Sequence, residues 1–386
     1  VPVFDEVVIS LKKMNQVIDI DDLGGVMRCE AGCVLETLDE RLKEHGLMMP
    51  IDLGAKGSCH IGGNVSTAAG GLRYMRYGSM HGNVLGLKAV LPSGEVLDVQ
   101  NTLRKDNTGY DMKQLFIGAE GTLGIVTEVG LQLATLPKSV QTIFLGAPDW
   151  PALCNIFRRA RSDLGEILSA AEMIDGEALD LILDIMKERS PVEKRCPYYM
   201  LIETNGSNAE ADQAKLMEFL AAAEEAGIVA DGTIAESGAQ AKHIWSMREG
   251  CAIAPTSAGH VRWYDISMPS VNMKEMIDLA REAVSVAGFA DKAKIIGFGH
   301  FGDGNLHINV VTIPEFDAAV VEAVDRFVYG FSRDRGYSVS AEHGIGLQKR
   351  GYLTYTKSEA TVAHMRKIKD LFDPNGIMNP YKMFAP

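Results

Sequence analysis

Two histidines, His300 and His307, flank a glycine-rich turn in the run Gly299 to Asn309, GHFGDGNLHIN. Gly302-Asp303-Gly304-Asn305 separates two apolar, strand-like stretches, so the run predicts a hairpin. Side chains alternate faces along a strand. His307 and Asn309 therefore point one way, and Leu306, Ile308 and Val310 the other. The turn can return His300 to the polar face. Two imidazoles that share a cavity are suitable ligands for zinc or a similar divalent ion. The plain alternative is a pair of hydrogen-bonded histidines in an ordinary hairpin. Three glycines and an in-register Asn favour the site.

A second cluster is Ser340 to Gly346, SAEHGIG. Glu342 can supply a third, oxygen ligand, and three protein ligands with an open position make a catalytic metal site. In a regular strand His343 would point away from Glu342. Gly344 and Gly346 permit irregular backbone that lets both side chains reach one centre. The alternative is a glycine loop with an exposed His and a surface Glu. Three of the nine histidines fall between 300 and 343, which weighs against it.

The third cluster, Pro50 to Asn64 (PIDLGAKGSCHIGGN), carries glycines that would let backbone N–H groups approach a phosphate or a flavin edge. No strand–glycine–helix unit surrounds it, so it is not a nicotinamide-binding fingerprint, and a nicotinamide dehydrogenase is disfavoured.

These residues need elements to hold them. Val26–Glu30 reads as a strand. Val34, Leu35, Leu38 and Leu42 repeat at helical spacing with Gly46 as a stop. Gly54 to Gly71 is too polar and glycine-dense for a core element. Leu85–Leu91 and Val96–Val99, joined through Pro92-Ser93-Gly94, predict a hairpin. Pro137 and the turn Ala147-Pro148-Asp149 mark a boundary. Beyond it, Leu216, Phe219 and Leu220 stripe one helix that ends near Gly227. Val271, Met276, Leu279 and Val284 stripe another. Ser358 is expected to cap a last helix near 358–372, closed by Asp373-Pro374-Asn375-Gly376. This divides the chain into 1–136, 137–332 and 333–386, an α+β architecture.

At 386 residues the chain can hold two or three domains. A net charge of -13 argues against nucleic acid as the partner, because that binding needs Lys and Arg to displace counterions. Six scattered cysteines without a CxxC pair predict free thiols. No apolar run is long enough to span a bilayer as a helix. Val1-Pro2-Val3-Phe4-Asp5 is neither an initiator Met nor a signal or transit peptide, so the chain is expected to begin inside a folded domain.

Pro50 to Gly71 (with IGGNVSTAAGG from Ile61), Asp106 to Asp111 (DNTGYD) and Leu115 to Ile125 (LFIGAEGTLGI) resemble segments of the vanillyl-alcohol oxidase / p-cresol methylhydroxylase type flavoproteins. The HxGDGNLH and SAEHGIG tracts and Asn379-Pro380-Tyr381-Lys382 complete the pattern. The resemblance implies an FAD-binding domain with an inserted α+β substrate domain (137–332) and a C-terminal segment that returns to the flavin site. It implies non-covalent FAD held by Pro50, Gly54, Ser58, Gly62, Gly63, Asn64, Gly121, Ile125 and Asn379. It implies Zn²⁺, or Mn²⁺ or Co²⁺, on His300, His307 and Glu342. It assigns His343 as general base and Arg248 and Asn309 to the substrate. By position Arg248 could equally be a surface salt-bridge residue. Three features depart from the family. Its pyrophosphate loop lies upstream of the stretch where this chain opens. Trp263 stands where a substrate-binding Lys is usual, with Arg262 before it. Ala252 aligns with a Thr that helps bind the distal carboxylate.

The implied reaction is oxidation of a D-2-hydroxy acid, D-2-hydroxyglutarate to 2-oxoglutarate, by hydride transfer to flavin N5. Arg248 and Arg262 would hold carboxylates through the two-pronged geometry of a guanidinium. The implied acceptor is an electron-transfer flavoprotein, and the implied location mitochondrial. Rival readings are a D-lactate or other D-2-hydroxy acid dehydrogenase, and, from another class, an FAD-free binding or scaffold module.

Overall fold

The computed structural model describes residues 2–4 and 6–384; Val1 and Asp5 of the opening run lie outside them. The chain forms two compact units, Val1–Leu136 with Glu342–Pro386, and Pro137–Ala341.

The first unit contains β1 (Val17–Asp21), β2 (Val26–Glu30), β3 (Leu47–Met48), β4 (Val84–Val90), β5 (Val96–Val99), β6 (Ile125–Gln132) and β7 (Ala134–Thr135). Five of them make an antiparallel sheet of order β1-β2-β6-β4-β5, and β3 pairs with β7. The β4–β5 hairpin aligns Leu87 with Val99 and Val90 with Val96. The helix Leu35–Lys43 buries Leu35, Leu38 and Leu42 in one cluster with Met27, Leu87, Val129 and Leu131. Ser58 and Gly54 are exposed, but the tract they begin is not all loop. It holds a short helix, Ile61–Ser66, that buries Ile61, Gly62, Asn64 and Val65. Ile61 and Val65, four apart, supply an apolar stripe. Gly62 is needed for close packing, since a Cβ there would lie 2.6 Å from that of Ala31. The last helix, Glu359–Phe372, starts where expected, with Ser358 Oγ accepting the Thr361 N–H at 3.2 Å. Phe372 meets Phe116 edge to face at 5.8 Å.

The second unit contains β8 (Ser139–Ala147), β9 (Leu168–Asp175), β10 (Tyr198–Gly206), β11 (Asp231–Ile234), β12 (His260–Ser267), β13 (Ala293–His300) and β14 (Asn305–Thr312). They form one antiparallel sheet of order β11-β8-β10-β9-β13-β14-β12. The Ala147-Pro148-Asp149 turn does not divide the chain: Asp149 accepts the Ala152 N–H and caps the helix Trp150–Asp163 directly after β8. The unit runs past 332 to Ala341, because Ser338 pairs with Ser267 through the backbone in both directions. Val271 lies before its expected helix and is exposed. The buried stripe of Met273–Val286 is Met273, Met276, Ile277, Ala280 and Val284.

One face of this sheet carries Phe144, Ile174, Leu201, Ile296, Phe298, Val311 and Val261. Over it lie Leu179 and Ile182 of the helix Gly176–Met186, and Ile244, Met247 and Cys251 of the helix Gly238–Ile253. The described cysteines are all free thiols. Among the described residues, no helix is long and apolar enough to cross a membrane.

Candidate active site

The apolar face changes character at one end. Strand alternation keeps Glu172 on the side of Ile174, His300 on that of Phe298, and His307 and Asn309 on that of Val311. Register completes the row: Phe298 pairs with His307, and His307 with Asp265 across to β12, where Trp263 faces Asn309. Acids and imidazoles thus continue the surface that forms the core.

The hairpin turn returns His300 to His307, with ring centroids 5.3 Å apart and planes at 77°. His300 Nδ1 lies 2.9 Å from Glu172 Oε1. The other carboxylate oxygen of Glu172 accepts Arg248 Nε–H at 2.6 Å. The Arg248 guanidinium stacks 4.8 Å above the ring of Phe298. Its Nη groups donate to nothing among the described residues. Burial opposes charge on Glu172, but attraction to His300 and Arg248 outweighs it and lowers the carboxyl pKa. Arg248 is buried, not a surface residue.

Asn309 Nδ2 donates to the carbonyl of Cys251 at 2.8 Å, and its Oδ1 is buried without a partner. A buried acceptor left unpaired is costly, so this oxygen suits a ligand donor. Trp263 Nε1 donates to the Ala252 carbonyl at 3.4 Å, which puts the two departures from the family pattern side by side.

Arg262 is a correction. It alternates to the opposite face from Trp263 and Asp265, and its Nε and Nη2 each reach Asp325 at 3.1 Å. Tyr264 Oη donates to the same carboxylate at 2.5 Å. The guanidinium expected to hold substrate is committed to a helix.

Asp265, absent from the sequence expectation, is fully buried. It accepts Asn305 Nδ2–H at 2.9 Å, Ser340 Oγ–H at 3.2 Å and the Ala341 N–H at 3.1 Å. The last bond ties down the end of the second unit. Within the second unit Asp265 and His307 face each other across β12 and β14, a carboxylate and an imidazole of the kind that can hold a metal ion. Period-two reading of WYDIS against HIN would have found Asp265.

In the first unit, His343 Nε2 is 3.8 Å from Glu342 Oε1. The loop after His343 is clamped by Glu120, whose carboxylate accepts the N–H groups of Ile345 at 2.6 Å and Gly346 at 2.7 Å. Gly344 and Gly346 have φ of +80° and +51°, the left-handed region that favours glycine.

Of the residues expected at FAD, Gly62, Gly63, Gly121, Ile125 and Asn379 line one cavity of about 770 Å³. A Cβ at Gly63 would meet nothing within 4 Å, so that backbone is open. Asn64 Oδ1 is buried without a partner. Pro50, Gly54 and Ser58 are not among the lining residues. A largely apolar cavity of this size, with glycine walls, fits a cofactor with a flat ring system.

A family model for the FAD linked oxidases, C-terminal domain, matches residues 136–383, and one for an FAD binding domain matches residues 1–100. The mitochondrial D-2-hydroxyglutarate dehydrogenase of Danio rerio is 48% identical over 99% of this chain and 70% of its own length. The protein of the same name in Arabidopsis thaliana is 47% identical over 99% of this chain and 68% of its own length. Among solved structures, p-cresol methylhydroxylase with substrate bound superposes with a TM-score of 0.74 at 16% identity, over 96% of this chain and 78% of that one. That last likeness is one of fold.

Proposed function

The chain belongs to the FAD-linked oxidase family, as a relative of the D-2-hydroxyglutarate dehydrogenases, and from that premise we propose which of its residues carry the reaction. It is an FAD-dependent dehydrogenase of a D-2-hydroxy acid, and D-2-hydroxyglutarate is the substrate its relatives' names point to. The observation that supports our residue assignment is the polar end of the sheet face, where Asn309 offers an unpaired buried acceptor on the same face as His307 and Asp265.

Arg248 binds a substrate carboxylate through its Nη groups, already aimed by the bond from Nε to Glu172. Asn309 Oδ1 accepts a hydrogen bond from the acid. His343 Nε2 takes the proton from the 2-hydroxyl. On family resemblance His300, His307 and Glu342 would hold a divalent ion, with Asp265 facing His307 across the strands as a further donor. Such an ion, Zn²⁺ by donor type, supplies Lewis acidity that lowers the pKa of a bound hydroxyl. FAD, held along Gly62, Gly63, Asn64, Gly121, Ile125 and Asn379, supplies the two-electron acceptor. Pro50, Gly54 and Ser58 stay in the proposed cofactor set on family resemblance. By family resemblance alone, an electron-transfer flavoprotein would be the acceptor; a mitochondrial location follows the relatives, whose names call them mitochondrial.

Turnover on a panel of D-2-hydroxy acids, with and without added zinc, tests this reading. We expect D-2-hydroxyglutarate to lead and a chelator to abolish activity. Preference for D-lactate would move the assignment to a monocarboxylate, with Trp263 and Ala252 as the cause. Full activity after chelation would remove the metal.

A further inference from the structure

Glu172 sits where the fold does not call for an acid. Every residue of β9 is buried, and the neighbours of Glu172 in the strand are Ala170, Ala171, Met173 and Ile174. Its cross-strand neighbours are Leu201 on β10 and His300 on β13. A carboxylate placed there must be paired, and replacing such a pair by apolar side chains is often neutral for stability. The residue therefore has another use.

Its two oxygens serve two elements. Oε1 meets His300 Nδ1 at 2.9 Å, and Oε2 meets Arg248 Nε at 2.6 Å. An ionised carboxylate can only accept, so Nδ1 of His300 carries the hydrogen and Nε2 of a neutral ring carries the lone pair. Arg248 is held from its other side by the ring of Phe298. One carboxylate thereby fixes a tautomer on a strand and the direction of a guanidinium on a helix.

We propose that Glu172 is a positioning residue: it presents His300 Nε2 to the divalent ion and aims the Arg248 Nη groups at the substrate carboxylate, setting the spacing between the two. This rests on the reading of His300 and Arg248 given above. Metal-ligating imidazoles commonly donate their second nitrogen to a carboxylate, and loss of that partner typically weakens metal binding about 10–100-fold.

The test uses the full flavin-loaded chain and three variants, Glu172→Gln, Glu172→Asp and His300→Ala. Zinc affinity is measured by competition with a chromophoric chelator, and KM and kcat are measured at saturating zinc. Glu172→Gln conserves shape but removes the charge. We expect zinc affinity to fall about 10–100-fold and KM to rise more than kcat falls. Glu172→Asp should recover part of both, which a role in packing alone would not give. Unchanged zinc affinity in Glu172→Gln, with His300→Ala weakened, overturns the proposal and leaves His300 as a ligand. Unchanged affinity in His300→Ala overturns both. If Glu172→Gln fails to fold, unchanged zinc affinity and KM in Glu172→Asp overturn the proposal, and a loss in both sustains it.

Discussion

Replacing Gly344 by Ala tests whether the loop that carries His343 is held rather than merely present. Gly344 has φ of +80°, where a residue with a Cβ costs about 1–2 kcal/mol. The new Cβ would lie 2.7 Å from Glu120 Oε1. An unrestrained Glu would swing aside at little cost, but this carboxylate is tied to the N–H groups of Ile345 and Gly346. Each such bond to a charged acceptor contributes about 1.5–3 kcal/mol. Losing one of them and adding the backbone strain gives ~2.5–5 kcal/mol against the ordered loop. Part of that is absorbed by whatever margin the loop has, so kcat/KM on D-2-hydroxyglutarate should fall at least about tenfold, up to about a thousandfold. Flavin absorbance measured on the same sample separates loss of the ordered loop from loss of the cofactor. Activity within about threefold of wild type would refute the argument, and with it the idea that Glu120 orders the base.

His343→Ala should lower turnover by about 10²–10⁴-fold with flavin retained. Zinc content measured on the same sample separates its two readings, since a base leaves the metal bound and a ligand does not. Asp175 supplies a prediction on pH. It accepts the N–H groups of Ala178 and Gly297 and pairs with Arg281, yet burial outweighs that attraction and its carboxyl is pushed up to about 6. A raised carboxyl pKa means the folded state favours the proton. Its stabilising contribution is complete below about pH 4 and is lost as pH rises through about 6, a swing on the order of 3 kcal/mol. Asp175→Asn should therefore gain in urea stability relative to wild type between those pH values, and a pH-independent difference would contradict this.

Much of the site could be read from residue spacing because period-two alternation is a strong constraint. His307 and Asn309 share a face, and the glycine turn returns His300, as the run from Gly299 to Asn309 implies. The Leu35, Leu38 and Leu42 stripe and the Ser358 cap were equally local. Glu172 was missed because nothing near it in the chain speaks of chemistry. Its signal was an acid in the middle of the apolar run Ala170-Ala171-Glu172-Met173-Ile174, which can be recognised without knowing the partner strand. Arg262 misled because its neighbour Trp263 faces the site, and one step along a strand reverses the face. The helix Ile61–Ser66 was hidden by Gly62 and Gly63, which lower helix propensity where close packing and an open backbone require them.

The interrupted first unit has a consequence for biosynthesis. Its strands and the helix Leu35–Lys43 are made early. Ile368 and Phe372, which pack on that same core, follow only after the about 200 residues of the second unit. At roughly 5–20 residues per second, that core waits on the order of ten seconds or more for its last side chains. During the delay the second unit, which has its own sheet and core, can fold and so shorten the flexible loop that must close, easing its entropy. Lesions within β9 or β13 would then lower the yield of flavin-loaded protein without touching a flavin contact, by leaving the half-built nascent unit open to chaperones and proteases.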